Sequence, residues 1–268
     1  MPQKHIIAFD AGGTAVKAAL YDERGSELAV AGATMAPLHP APGCLERDPD
    51  AMWAAICGIS RRVLEAAAVD PSSIVVVGLT GYGNALYLLD QSGTPVRNGI
   101  LSPDLRAEAI VERWRASGAE DAIIPITYQR LWPGKPAPLL AWLDAHEPES
   151  LARADRAMFC KDYLRFRLTG AVGLEISDLS SGGLANQGAR RFAPEILDHF
   201  GLGRYARLYG EGLEPLTVFG AVSKEAAAAT GLVAGTPVST GYADGPAMAL
   251  GLGAIDESLI SVIAGLGA

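Results

Sequence analysis

The chain has 268 residues, 49% of them hydrophobic and 19% charged, with a formal net charge of −8. That length and balance suit one large globular domain or two small ones, with ample apolar material for a core. An acidic chain without basic runs excludes nucleic acid and anionic membrane as its expected partners. Cys44, Cys57 and Cys160 are scattered, with no disulfide framework and no Cys-x-x-Cys pair, and the histidines show no ligand spacing. The cysteines read as small buried side chains in a reducing compartment. With no basic-then-apolar leader, and no apolar run of roughly 18–20 residues, the expected location is cytoplasmic.

In chain order, His5 to Asp10 reads as a buried strand ending in an acid, and Ala11-Gly12-Gly13-Thr14 as a tight turn. Val16, Ala18 and Leu20 then alternate with Lys17, Ala19 and Tyr21, a second strand, and Glu27 to Met35 reads as a third. A strand rather than a helix after the glycines, without Gly-x-Gly-x-x-Gly spacing, argues against a dinucleotide-binding turn. Asp48-Pro49-Asp50 starts a helix with an acid at the cap and proline in the first turn, carried on by Trp53, Ile56, Val63 and Leu64. Ile74 to Leu79 is a continuous apolar run, the pattern of a parallel strand reached by a helical crossover. A three-strand antiparallel meander followed by parallel strands, with helices on both faces, is the ribonuclease H-like (actin-like ATPase) α/β arrangement.

Thr80-Gly81-Tyr82-Gly83-Asn84 is a glycine-hinged loop at the carboxyl end of that strand, where open α/β sheets bind ligands. Ala85–Leu89 and Val96–Leu101 flank a turn and read as a hairpin, and Ser102 to Arg106 heads a helix. Residues 118–136 read as loop, with helices at Leu139–Leu143 and Leu151–Ala154, a brief strand at Met158–Phe159, and a helix from Lys161 to Leu168 stopped at Gly170. Residues 171–190 are small and polar, a surface loop by composition. Helices follow at Pro194–Phe200 and after Ser223, ending at Thr230-Gly231. Near the end, the β-like Pro237 to Thr240 leads into Gly241-Tyr242-Ala243-Asp244-Gly245-Pro246 and an apolar helical run, and Leu259–Ile263 reads as a last strand.

Three of these loops carry chemistry. In Asp10-Ala11-Gly12-Gly13-Thr14-Ala15-Val16-Lys17, glycines let backbone N–H groups approach an oxyanion, Thr14 adds a hydroxyl, and Asp10 can hold a metal-bound water; the plainer alternative is a hairpin turn with a solvated acid. Asp244, between small residues at a strand–helix junction, suits a base that meets a ligand; the plainer alternative is a helix cap. Tyr82, Gly83 and Asn84, with Asp104 and Arg106, offer complementary partners to vicinal hydroxyls. Their alternatives are a loop anchor for Tyr82, a helix cap for Asp104, and a surface pairing of Arg106 with Asp104. Trp132 reads as packing more than pocket lining, and Lys161-Asp162 as a structural ion pair.

With Glu46-x-Asp48-Pro49…Trp53, Lys161-Asp162-Tyr163…Leu168-Thr169-Gly170, Thr230-Gly231-Leu232…Gly235-Thr236-Pro237-Val238 and Gly241-x-x-Asp244…Gly251, these loops make the chain similar to the FGGY family of carbohydrate kinases, in its N-terminal domain. The resemblance implies transfer of the γ-phosphoryl group of ATP, with Mg2+, to a hydroxyl of a small sugar, a pentulose such as xylulose being the expected acceptor. It implies that Asp244 is the general base and that Asp10, Gly12, Gly13, Thr14 and Lys17 surround the phosphates and Mg2+, Asp10 through water. The form Gly81-Tyr82-Gly83-Asn84-x-Leu86-Tyr87-Leu88 is similar to the L-xylulose kinase branch, whereas Gly12-Gly13-Thr14, and Ser102 where a tryptophan is common, depart from the family pattern. Members run to about twice this length. The expectation is therefore that residues 1–268 form the sugar-binding, base-bearing domain, that a C-terminal ATP-binding domain is absent from this chain, and that Ala264 to Ala268 lack a further phosphate loop's hydroxyls. Alone, the chain is expected to turn over ATP poorly, since closure of two domains excludes water. Alternatives are a glycerol- or erythritol-type polyol kinase, a non-catalytic sugar-binding module of the same fold, and a hexokinase-like or acetate-kinase-like enzyme, the last disfavoured by the later motifs. The resemblance also raises a homodimer, although no apolar stripe marks its interface.

Overall fold

Period-two alternation sets the first strand, His5–Ala11: Ile7, Phe9 and Ala11 are buried, while Ile6, Ala8 and Asp10 face the other way and stay more open. Ala15–Asp22 and Glu27–Thr34 continue it as an antiparallel meander, with Val16, Ala18 and Leu20 buried. The computed structural model describes residues 3–256 and 258–262. Asp48 caps the helix Pro49–Ala67 by accepting the N–H groups of Asp50 and Ala51, and that helix lays Met52, Ile56, Ile59 and Val63 on the meander. The chain returns as Ile74–Gly81, parallel to the first strand.

From edge to edge the sheet runs Val218–Ala221, Pro237–Ser239, Ile74–Gly81, His5–Ala11, Ala15–Asp22, Glu27–Thr34, and Tyr242–Ala243 pairs with the end of Ile74–Gly81. This is the mixed sheet that the sequence pattern predicts. Cover on its two faces is unequal. The helices Pro49–Ala67 and Cys160–Thr169 seal the face of Ile7 and Phe9. On the other face Ile6, Ala8, Val76 and Gly78 remain partly open, and the helix Asp244–Gly251 has no buried residue.

Several expected elements differ. The hairpin is partial: Val96 N–H reaches Leu88 O and Leu86 pairs with Ile100, but Tyr87–Leu89 forms its ladder with Arg156–Met158, and Gly99–Ile100 with Glu46–Arg47. Long-range partners took the strand edges that a local turn would have used. The helix expected from Ser102 begins at Glu108, because Asp104 turns inward instead of capping it. Residues 118–136 hold the helix Ala119–Thr127, whose Pro125 lies in its last turn. Residues 171–190 are no surface loop: they hold the strand Leu174–Glu175, the helix Ile176–Ser181 and the strand Ala185–Asn186, with Glu175 and Asp178 fully buried. Leu259–Val262 forms no strand, and Ile263 and Ala264–Ala268 lie outside the described residues.

Candidate active site

The segment 237–244 is one extended run bent in the middle. Val238 pairs with Val77 and, four residues on, Tyr242 pairs with Thr80. Between them Gly241 has φ +74°, and a Cβ there would stand 2.1 Å from Leu79 O, so this bend requires glycine. Thr240 holds the bend: its N–H donates to Thr217 O at 2.7 Å and its hydroxyl to Glu214 O at 2.9 Å. Asp244 follows as the first residue of its helix, and its Oδ1 accepts the Gly245 N–H at 2.7 Å. It is therefore not the N-cap.

Register brings the other acid beside it. Lys17 pairs with Asp10, Asp10 with Thr80, and Thr80 with Tyr242. Residues paired in register share a face, so these four side chains form one row across four strands. Thr80 Oγ1 donates to Tyr242 O at 2.9 Å, tying the row to the strand that leads into Asp244. Burial raises the Asp10 carboxyl above the ordinary carboxylate value; Lys17 opposes that rise and Asp244 adds to it. Asp10 and Asp244 thus feel one another across the strand ends. Next to Asp10 the turn is tight: Gly12 N–H donates to Ala15 O at 3.0 Å and a Cβ on Gly12 would meet that oxygen at 2.8 Å, whereas Gly13 faces open space. Thr14 and Lys17 are exposed. Beneath the turn the buried Arg47 donates Nη2 to Gly13 O.

The expected sugar-pocket residues divide. Gly83 and Asn84 are half-buried, and Asn84 has φ +53°. A Cβ on Gly83 would come within 2.5 Å of Ser181 Oγ, so glycine lets this loop close on the helix Ile176–Ser181. Tyr82 is buried, with its hydroxyl 2.6 Å from that of Tyr87. Asp104 and Arg106 are sealed: Asp104 accepts the Leu45 N–H at 2.7 Å and Arg106 Nε at 2.9 Å, and Arg106 Nη2 reaches Glu46 at 2.9 Å. Tyr82 thus anchors its own loop, while Asp104 and Arg106 tie their segment to Leu45 and Glu46. Trp132 donates Nε1 to Ser102 O at 2.9 Å, tying two loops together. A cleft of about 330 Å3 opens beside Tyr242, lined by Ser177, Ser180, Asn186 and Gln187 among others. Polar, sugar-sized and on the same side as Asp10, it went unseen because residues 171–190 read as loop.

Behind this edge lies a sealed ionic cluster. Lys161 Nζ stands 2.7 Å from Asp178, 3.1 Å from Glu175 and 3.4 Å from Asp162, and Arg165 Nη1 stands 2.8 Å from Asp162. The pair Lys161–Asp162 is thus structural, as read, but belongs to a set of three acids and two bases, all buried. Burial pushes the Asp178 carboxyl up to about 7 despite Lys161, with Asp162 and Glu175 adding to the rise. The signal that could have revealed the segment is the apolar spacing of Leu174, Ile176, Leu179 and Leu184 among its polar residues. Among the described residues no three His, Cys, Asp or Glu side chains converge as a metal cage, and no helix is long and apolar enough to cross a membrane.

The fold and the motif order meet in the comparisons with known proteins. The model of the FGGY family of carbohydrate kinases, N-terminal domain, matches residues 5–251. The chain is 37% identical over 262 residues to the L-xylulose/3-keto-L-gulonate kinase of Escherichia coli (strain K12), spanning 98% of this chain and 53% of that protein. It is 33% identical over 261 residues to the probable L-xylulose kinase of Pasteurella multocida (strain Pm70), spanning 97% and 54%. The solved xylulose kinase of Rhodospirillum rubrum superposes with a TM-score of 0.86 at 27% identity, over 93% of this chain and 51% of that one. A ligand-bound xylulose kinase of Lactobacillus acidophilus gives 0.87 at 25% identity, over 94% and 50%. The chain spans about half the length of the curated relatives it matches. It belongs to the FGGY family of carbohydrate kinases and matches that family's N-terminal domain.

Proposed function

We propose that residues 1–268 are the sugar-binding, base-bearing half of an ATP-dependent carbohydrate kinase whose acceptor is a small ketose, a pentulose of the L-xylulose type. The observation that carries this is the placement of Asp10 and Asp244 at the ends of the two strands that flank Ile74–Gly81, beside a cleft of about 330 Å3 with polar groups on its lining. The ketose lies in that cleft, against Ser180, Asn186, Gln187 and Tyr242, while Gly83 and Asn84 lie against Ser181 at the end of the helix that lines it. Asp244 takes the proton of the attacking hydroxyl. Phosphoryl transfer needs little else from a side chain than alignment of that oxygen and removal of its proton.

Asp10 serves the other reactant. Mg2+ is commonly held by one or two carboxylates, waters and phosphate oxygens rather than by a protein cage, which a lone half-buried Asp10 fits. Bound there, the cation would neutralise phosphate charge. The open backbone at Gly13, with Thr14 and Lys17, would face the phosphate oxygens. The adenosine would be held by a second domain.

The test is calorimetric titration of the intact protein with L-xylulose, D-xylulose, 3-keto-L-gulonate and glycerol, followed by phosphoryl transfer from ATP-Mg2+ to each ligand that binds. A ketose should bind and be phosphorylated. Asp244→Asn should keep that affinity within a few-fold and lose turnover by about 10²–10⁴-fold. Full turnover in the Asn variant sinks the base assignment, and binding of glycerol alone sinks the ketose.

A further inference from the structure

The buried cluster touches the chain that carries the base. Ala243, which precedes Asp244, pairs with Gly81 on one side. On its other side its N–H donates to Ser177 Oγ at 3.0 Å. Ser177 in turn donates its hydroxyl to Glu175 Oε2, and Glu175 Oε1 accepts the Ser177 N–H at 2.7 Å. Glu175 is fully buried and stands 3.1 Å from Lys161 Nζ. A second arm runs from Asp162 through Arg165, whose Nη1 donates to Thr240 O at 3.3 Å.

The direction of these hydrogen bonds matters. An ionised carboxylate only accepts, so Ser177 has to spend its proton on Glu175. Its lone pairs are then left for the Ala243 N–H. Lys161 Nζ, 3.1 Å away, supplies a counter-charge in this dry site. A helix of six residues, Ile176–Ser181, could be capped by a surface serine or aspartate at far lower cost, so a buried Glu–Lys pair calls for a further use.

We propose that Glu175 and Ser177, anchored by Lys161, are positioning residues for Asp244: they lock the amide before it and so fix the direction of its carboxylate. The proposal rests on reading Asp244 as the proton acceptor. Ser177 touches no reacting atom and acts through the backbone. A misplacement of the order of 1 Å at a reacting group can cost about 100-fold in rate, so a single lost hydrogen bond here is amplified.

The experiment compares Ser177→Ala, Ser177→Thr and Glu175→Gln in the intact protein by steady-state ketose phosphorylation and by hydrogen exchange at the Ala243 amide. Ser177 is only half-buried, and threonine keeps the hydroxyl that the clamp uses. Ser177→Ala should lose about 10- to 100-fold in kcat with KM for the ketose within about threefold, and exchange at Ala243 should rise by about tenfold or more. Ser177→Thr should restore both, and Glu175→Gln should loosen the same amide. A kcat for Ser177→Ala equal to that of the wild type overturns the clamp, as do a fall in kcat without faster exchange at Ala243 and a threonine variant no better than alanine. Absence of phosphoryl transfer to every ketose in the wild type overturns instead the kinase reading beneath it.

Discussion

Two groups of acids occupy opposite faces of one sheet edge and are treated oppositely. Asp10 and Asp244 face the open side, half-buried, and the exposed Lys17 is a counter-charge to Asp10. On the sealed side, Gly81 comes so near the helix Cys160–Thr169 that a Cβ on it would lie 3.5 Å from Lys161 Cβ, and there Asp162, Glu175 and Asp178 crowd around Lys161 and Arg165. The open acids keep oxygens free for a ligand. The sealed acids spend theirs on holding elements together. Charge alone therefore does not mark function; what separates the two groups is where the backbone places them: period-two alternation turns Asp10 to the open face, whereas Asp162 and Asp178 are carried on helices beside Lys161.

The sharpest way to break the comparison is to remove one lysine from each side. Burial works against the charge of Lys161, yet Asp162, Asp178 and Glu175 raise its pKa above the ordinary lysine value. Lys161→Met leaves those carboxylates with Arg165 alone and should cost about 3–5 kcal/mol in urea unfolding, as expected when one partner of a buried pair is removed. Lys17→Met removes an exposed charge and should stay within about 0.5 kcal/mol, while weakening the binding of phosphates. Equal losses in the two variants would abolish the distinction.

A smaller effect, of opposite sign, belongs to Asp10. Burial and the charge of Asp244 both raise its pKa, so its ionised form is disfavoured in the folded state. Asp10→Asn should raise the melting temperature slightly, by the equivalent of roughly 0.5 kcal/mol given the partial screening by water. The same change should lower phosphoryl transfer by about 100-fold or more. A variant that is both less stable and fully active would place Asp10 among the structural acids.

Local pattern revealed the main strands, the capped helices and the open acids far better than the sealed ionic cluster. The meander, the helix capped by Asp48, the strand Ile74–Gly81 and the helix stopped at Gly170 are each written in a few adjacent residues. So are the two loops that carry Asp10 and Asp244. The sealed side depends on pairings between distant segments. Glu175 and Asp178 sit in a run rich in small polar residues, and the lysine that meets them lies in another helix. Asp104 reads as a sugar partner, with a helix cap as the alternative, and is held by the Leu45 amide, 59 positions away. Tyr87–Leu89 turned from its neighbouring turn to pair with Arg156–Met158. Polar burial is settled by partners, and a single sequence does not name them.

The last test reads the surplus charge of the sealed cluster. Three carboxyls face two cations, so one proton is favoured there, and burial pushes Asp178 up to about 7. Asp178 Oδ2 lies 2.7 Å from Lys161 Nζ, whose charge opposes the rise. In the folded chain Asp178 keeps its proton up to about pH 7, whereas the unfolded chain releases it near the ordinary value of about 3.9. Between those values the folded state binds more protons, so this group's contribution to stability is complete below about pH 4, falls as pH rises, and levels off above about 7. Asp178→Asn imitates the protonated form and carries no such slope. The melting temperature of the variant minus that of the wild type should therefore climb from pH 5 to pH 7 and stay flat from 7 to 9. Taking the difference cancels the other carboxylates, among them Asp22, Asp70, Asp90 and Asp144, whose pKa values are lowered and whose own contributions run the opposite way. A difference that does not change with pH would mean that Asp178 is ionised beside Lys161, and that the sealed acids, like the open ones, carry full charge.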